Sequence, residues 1–172
     1  MRDPEFKREK KASVISTYAV ITQPVHDLSA WYKRTLIWET ARPYIYMRTT
    51  KDNRVIIGGL DETTASADKR NSLLTQKKNK LLQACRQLFP GLHLQPAYYL
   101  AAFYGGTNDG LPMIGIYDEY PDWYFLFAYG DSGIVYSMML AKMLRDVIVA
   151  GTHPDLSLYR QNRSAPHAEP MV

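Results

Sequence analysis

Two periods divide this chain. Runs rich in β-branched and aromatic residues, each closed by Pro, Gly or a polar turn, recur at Ser16–Pro24, Thr35–Thr40, Pro43–Thr50, Val55–Gly59, Tyr98–Tyr104, Met113–Tyr117 and Trp123–Tyr129, and they predict strands. Tyr44 and Tyr46 share one face of theirs by period-two alternation. The polar turn Lys51–Arg54 between two such runs predicts an antiparallel hairpin, and His26–Trp31 reads as a turn or short helix. The period changes at Leu73–Phe89, where Leu74, Leu81, Leu82, Cys85, Leu88 and Phe89 fall on one helical face and Lys77, Lys78, Lys80 and Arg86 fall elsewhere; Pro90-Gly91 closes this helix. A second helix is predicted over Ile134–Val149. Its apolar surface is made by Met138, Ala141, Met143, Leu144, Val147 and Ile148, and its stop by Gly151. The fold class that follows is α+β: a mixed, largely antiparallel sheet with two helices, ending in a strand–loop–helix of doubly wound character.

Composition narrows this little. A chain of 172 residues with 46% hydrophobic and 12% aromatic content has enough apolar mass for one real core, and barely the length for two. No apolar run reaches the length of a membrane span and no signal-peptide core is present. Cys85 is the sole cysteine, which points to a reducing, cytoplasmic setting. The net charge of +4 sits largely at the ends, in Arg2, Lys7, Arg8, Lys10 and Lys11 and in Arg160 and Arg163, and reads as solvated tails rather than a nucleic-acid grip. His26, His93, His153 and His167 lack metal-ligand spacing, so no metal is expected. Met1–Phe6 reads as a translated cloning linker. The organisation expected is that linker at 1–6, a sheet-and-helix part at 7–106, a strand–loop–helix part at 107–163 and a polar tail at 164–172.

Candidate chemistry concentrates in the last third. Asp109-Gly110-Leu111-Pro112-Met113-Ile114-Gly115 is a turn entering a buried strand, and Gly130-Asp131-Ser132-Gly133 is a glycine-bracketed loop opening a helix. A strand, a tight glycine loop and a helix N-terminus present backbone N–H groups to an anion or a polar ring edge. Asp131 or Ser132 is placed to cap that helix.

Four blocks in order carry a family resemblance. Trp38–Tyr46, Val55–Gly59, Thr107–Gly115 and Tyr129–Ile134 resemble the second half of FAD-dependent oxidoreductases of the D-amino-acid oxidase and glycine oxidase type, over about Ser16 to Arg163. The resemblance implies a substrate domain on an antiparallel sheet and a returning segment that touches the flavin. The G-x-G-x-x-G turn of a dinucleotide-binding unit does not occur in the chain, so the chain reads as part of a longer enzyme with an apolar surface left exposed for self-association. The implied cofactor is FAD, non-covalent and not necessarily retained by this chain alone, with Gly105, Gly106, Gly130, Asp131, Ser132, Gly133 and Ile134 beside it. The implied substrate is an amine or amino acid oxidised at its C–N bond. Relatives carry an arginine for the substrate carboxylate where this chain has Tyr104; Arg42 is the candidate replacement, with Tyr44, Tyr46, Tyr98 and Tyr99 as candidate apolar lining. Cys85 is expected to be a buried small residue. The alternative reading is a non-catalytic binding module on the same scaffold.

Overall fold

The computed structural model describes residues 11–163. The expectations for Met1–Phe6, Arg2, Lys7, Arg8, Lys10, His167 and the tail at 164–172 lie outside the described residues. The strands are β1 (Ala12–Thr22), β2 (Ile37–Trp38), β3 (Ile45–Thr49), β4 (Val55–Glu62), β5 (Pro96–Thr107), β6 (Met113–Gly115) and β7 (Phe125–Phe127). The helices are α1 (Ala67–Leu88), α2 (Gly133–Ala150) and the short α3 (Leu156–Tyr159). The order β2-β3-β4-β1-β5 makes one sheet, in which β2–β3, β3–β4 and β4–β1 are antiparallel; β6 and β7 form a separate antiparallel pair. The fold is α+β, as the periodicity predicts. Two compact units divide it, Ile15–Phe103 and the remainder.

In the first unit the inward faces of β1, β3 and β4 (Tyr18, Val20, Ile45, Met47, Val55 and Ile57) pack with Leu81, Leu82 and Cys85 of α1. The β3–β4 hairpin closes through the expected polar turn, without an Asn-Gly. Asn53 takes φ of +62° and Thr50 accepts and donates across it, its N–H to Arg54 O at 2.9 Å and its Oγ1 taking the Arg54 N–H at 3.0 Å. His26–Trp31 is a turn, followed by a 3-10 turn at Tyr32–Arg34. Trp31 stacks on Phe89 with ring centroids 4.5 Å apart and donates its indole N–H to Thr35 O at 2.8 Å.

Three expectations are corrected here. Helix α1 begins at Ala67, well before the apolar stripe at Leu73, because Ser66 caps it by accepting the Lys69 N–H at 3.2 Å; a polar first turn with Asp68 needs no apolar face. Lys77 belongs to the buried face, not the solvated one, whereas Leu88 is exposed. Strand β4 does not end at its glycines. Gly59 at φ +118° and Leu60 at φ +56° bend it, β1 shifts register opposite between Ser16 and Tyr18, and the strand continues to Glu62.

The second unit has its own small core, Ile114 of β6 with Leu140, Met143 and Val147 of α2 and Leu156 of α3. The inward face of α2 is thus set by Leu140, which the sequence pattern did not single out; Met138 and Ile148 of the predicted apolar surface are exposed. Gly151 at φ +79° ends α2 by donating its N–H to Val147 O at 2.9 Å. After α3 the chain returns to β6. Ile114 pairs in parallel with Arg160, and the carboxamide of Gln161 both donates to Ile116 O and accepts the Ile116 N–H. Arg163 and Lys11 are not tail charges. Arg163 is buried, and its carbonyl accepts the Lys11 ammonium.

Candidate functional site

The glycine loop before α2 is built by backbone crossing. Gly130 at φ +62° donates its N–H to Gly105 O at 2.9 Å, pinning the loop to the end of β5. A Cβ on Gly105 would lie 3.3 Å from Cα of Ala128, which itself sits at φ +58°, so the two segments pass close together and a side chain there would press on the Ala128 backbone. Beside Gly130 there is open space, and at Gly133 only Tyr129 Cβ comes within 4 Å, at 3.8 Å. Gly106 is buried just beyond.

The N-cap residue of α2, Ser132, makes no side-chain capping bond, correcting the expectation for it; its hydroxyl turns to Asp131 at 3.5 Å. The first intrahelical bond runs from Tyr136 N to Ser132 O at 3.1 Å. The N–H groups of Gly133, Ile134 and Val135 therefore have no acceptor inside the helix. Ile134 is 85% exposed beside them.

The loop entering β6 is held by a fork no sequence pattern announces. Arg163 Nε and Nη2 donate to the two carboxylate oxygens of Asp109, each at 2.8 Å, while Nη1 reaches Pro112 O at 3.0 Å and Nη2 reaches Leu111 O at 2.9 Å. The guanidinium holds the Asp109 carboxyl at about 2. The spacing of 54 residues between the partners hides this pair from any local reading.

The candidate substrate residues Arg42, Tyr44 and Tyr46 lie in the other unit, on the sheet face opposite α1. Tyr44 is buried, and the exposed Arg42 guanidinium stands 4.5 Å from its ring centroid. Tyr46 lies 6.3 Å from Tyr44, and Trp38 meets Tyr44 edge-on at 6.1 Å. Two glycines make room for the pair. A Cβ on Gly58 would collide with the Tyr46 ring, and one on Gly59 with the Tyr44 carbonyl. Burial pushes the Tyr46 phenol up, with Asp61 adding to it. Tyr104 is half-buried in β5. Tyr99 does not join this group: the Lys78 ammonium of α1 sits 4.7 Å from its ring, so it faces the helix. Tyr98, its neighbour in β5, is exposed.

Behind the glycines, buried Lys77 donates to Leu60 O at 2.7 Å and to Glu62 Oε1 at 2.6 Å, holding the Glu62 carboxyl below its ordinary range. The same ammonium stands 5.2 Å from the ring of Tyr18, whose buried hydroxyl has no hydrogen-bond partner among the described residues. Cys85 is fully buried, and desolvation raises its thiol to about 11. Among the described residues no group of three or more His, Cys, Asp or Glu side chains is arranged to hold a metal, and no helix is long and apolar enough to cross a membrane.

The family model described as FAD dependent oxidoreductase matches residues 3–147. The chain belongs to that family. No curated protein sequence matches it. Solved structures similar to it are L-proline dehydrogenase from P. horikoshii (19% identity, TM-score 0.59, 87% of this chain and 39% of that one) and glycine oxidase from Geobacillus kaustophilus (16%, 0.61, 91% and 40%). A third is fructosyl peptide oxidase from E. terrenum (6%, 0.63, 91% and 42%). At these identities the likeness is one of fold, and the chain spans about two-fifths of each structure's length. The glycine loop fits the family's cofactor: backbone donors at the start of an 18-residue helix, with no side chain at Gly130 or Gly133 to block approach, suit a polar, anionic ring edge.

Proposed function

We propose that the protein of which this chain forms the substrate-domain sheet and the flavin-contacting return segment is a flavin-dependent oxidoreductase acting on the C–N bond of an amine or amino acid. The observation that carries this is the α2 N-terminus behind an open glycine loop, in a chain that belongs to the FAD dependent oxidoreductase family. FAD, when bound, supplies the two-electron oxidation by accepting the hydride. The chain's own residues do the rest. Gly105 and Gly106 keep the backbone close, and Gly130, Asp131, Ser132, Gly133 and Ile134 form the rim at which N–H groups meet the polar edge of the ring. Arg42, held over Tyr44 and without a carboxylate partner among the described residues, takes the substrate carboxylate in place of the arginine replaced by Tyr104. Tyr44 and Tyr46 supply an apolar wall that excludes water. Amine oxidation of this kind asks for orientation more than for an acid–base pair. The lone buried Cys85 supports a cytoplasmic setting, and the exposed apolar residues support self-association.

The test is a titration of FAD with the chain, read by flavin fluorescence and by the visible band left after free ligand is removed. The proposal expects a saturable change that Gly133→Val, which fills the mouth of the loop, weakens at least tenfold. No retained flavin in a folded chain would mean that the cofactor site is completed by the rest of the protein; binding that Gly133→Val leaves equal would overturn the role given to the loop and favour the alternative of a non-catalytic binding module, for which the lack of a G-x-G-x-x-G turn and Tyr104 in the arginine position speak.

A further inference from the structure

The hairpin of β2 and β3 closes irregularly at the point where it carries Arg42. Ile37 pairs with Met47 and Trp38 with Tyr46, so the next pair along the ladder is Glu39 with Ile45. Half of that pair is ordinary, since the Glu39 N–H donates to Ile45 O at 3.0 Å. The other half is not. The Ile45 N–H donates to the Glu39 carboxylate, to Oε2 at 3.0 Å, where a regular ladder uses the Glu39 carbonyl. A side chain thus bridges the mouth of the loop from Thr40 to Tyr44. At the far end of that loop Tyr44 O accepts the Leu60 N–H at 3.0 Å, which ties it to β4. Arg42 lies between the two ties, its guanidinium 4.5 Å from the Tyr44 ring centroid. Glu39 is also the only acidic residue from Thr35 to Thr50. Its bond to Ile45 holds the carboxylate at the base of the loop, rather than folded onto Arg42 as a neutralising partner.

We propose that Glu39 is a positioning residue for Arg42. Its carboxylate sets the width of the loop, and with it the place over Tyr44 from which the guanidinium meets a substrate carboxylate; the inference rests on the reading of Arg42 given above. Two opposed effects separate this role from simple charge. A nearby anion weakens an arginine's hold on a carboxylate, so if Glu39 acted by charge alone its removal would tighten binding. If it acts by holding the loop, removal weakens binding, because a loose arginine must be ordered at the moment it binds. Glu39→Gln divides the two effects: the amide oxygen still accepts from the Ile45 N–H, and the charge is gone.

The experiment is NMR on the full chain, with propionate as the carboxylate probe and chloride of equal strength as the control. Two signals are followed. The ring-current shift that Tyr44 imposes on the Arg42 side chain reports the loop with no ligand present, and the Arg42 Nε–H reports the probe. Glu39→Ala is expected to lose the ring-current shift and to bind propionate roughly tenfold more weakly, with the far-UV spectrum unchanged. Glu39→Gln is expected to keep the shift and to bind at least as tightly as the unaltered chain. A ring-current shift preserved in Glu39→Ala overturns the proposal, as does tighter binding of propionate by that variant. A shift that Glu39→Ala abolishes, in a chain that does not bind propionate, supports the positioning and overturns instead the part given to Arg42. Should Glu39→Ala fail to fold, Glu39→Asp keeps the charge but is one methylene short of the Ile45 N–H; it is expected to lose the ring-current shift, and its retention overturns the proposal.

Discussion

Replacing Asp109 by Asn removes one charge and almost no volume from the most densely bonded ion pair among the described residues. Both partners are withdrawn from water, the Arg163 side chain 5% and the Asp109 side chain 12% exposed. Two routes give the magnitude. The Asp109 carboxyl is held at about 2 against 3.8 unfolded. At ~1.4 kcal/mol for each tenfold change in acidity, that difference is about 2.5 kcal/mol. Leaving the guanidinium buried with carbonyl partners alone costs roughly 3–5 kcal/mol in comparable pairs. The expected loss at pH 7 is therefore about 2–4 kcal/mol, read as a shift in urea midpoint against the unaltered chain. The pH dependence is the sharper signature. A carboxyl whose folded value is depressed contributes fully above about 3.8. The contribution fades as pH falls through about 2. The gap between the two proteins should thus hold from pH 7 to about 4 and close by about 2. Arg163→Lys should lose nearly as much as the Asn variant, because a single ammonium cannot reproduce the fork that also ties Leu111 and Pro112. A gap below about 1 kcal/mol at pH 7, or one that does not change with acid, would refute the assignment of this pair as the tie for the Thr107–Pro112 loop.

Two further outcomes test the substrate-side packing and the core. Gly59→Ala should destabilise the first unit by at least ~2 kcal/mol in denaturant melts, since φ of +118° and the Tyr44 carbonyl both oppose a Cβ. Gly58→Ala should instead push the Tyr46 ring outward, and its phenol, now held high by burial, should titrate closer to its ordinary range by NMR. Cys85 should stay silent to a thiol reagent at pH 8 until the chain is unfolded in urea, because its thiol is raised to about 11 and fully buried; fast labelling of folded protein would contradict the packing of α1 described above.

Elements whose cause is local were legible in the sequence. The alternation through Tyr44 and Tyr46, the polar turn before Val55 and the stop at Gly151 all act within a few residues, and each is found where the pattern puts it. What was illegible depends on contacts far along the chain. Lys77 buries because an irregular stretch of β4 offers it a carbonyl and a carboxylate, so a hydrophobic face contains a charge. Arg163 resembled a tail charge until Asp109 was brought to it. Periodicity fixes the apolar surface of α2 only to within a turn; what packs opposite, here Ile114 and Leu156, selects Leu140 for burial and leaves Met138 and Ile148 exposed. Of the candidate site, the glycine loop was visible as a motif. The glycine pair behind the tyrosines was read only as a strand end, since the reason for it lies on the neighbouring strand.

The return of the chain to β6 has a chemical consequence of its own. Gln161 offers Ile116 one donor and one acceptor from the same planar amide, which is what a peptide group of an added strand would offer. A side chain here stands in for main chain, and it extends the pairing of Ile114 with Arg160 by one residue. That economy also makes the extension hydrolysable. Conversion of this one amide to a carboxylate, the slow fate of glutamine in an ageing protein, would turn the donor into a second acceptor facing the Ile116 carbonyl. One lost ammonia would then break the side-chain pair just beyond β6 while the main-chain bond from Gln161 N–H to Ile114 O stays in place.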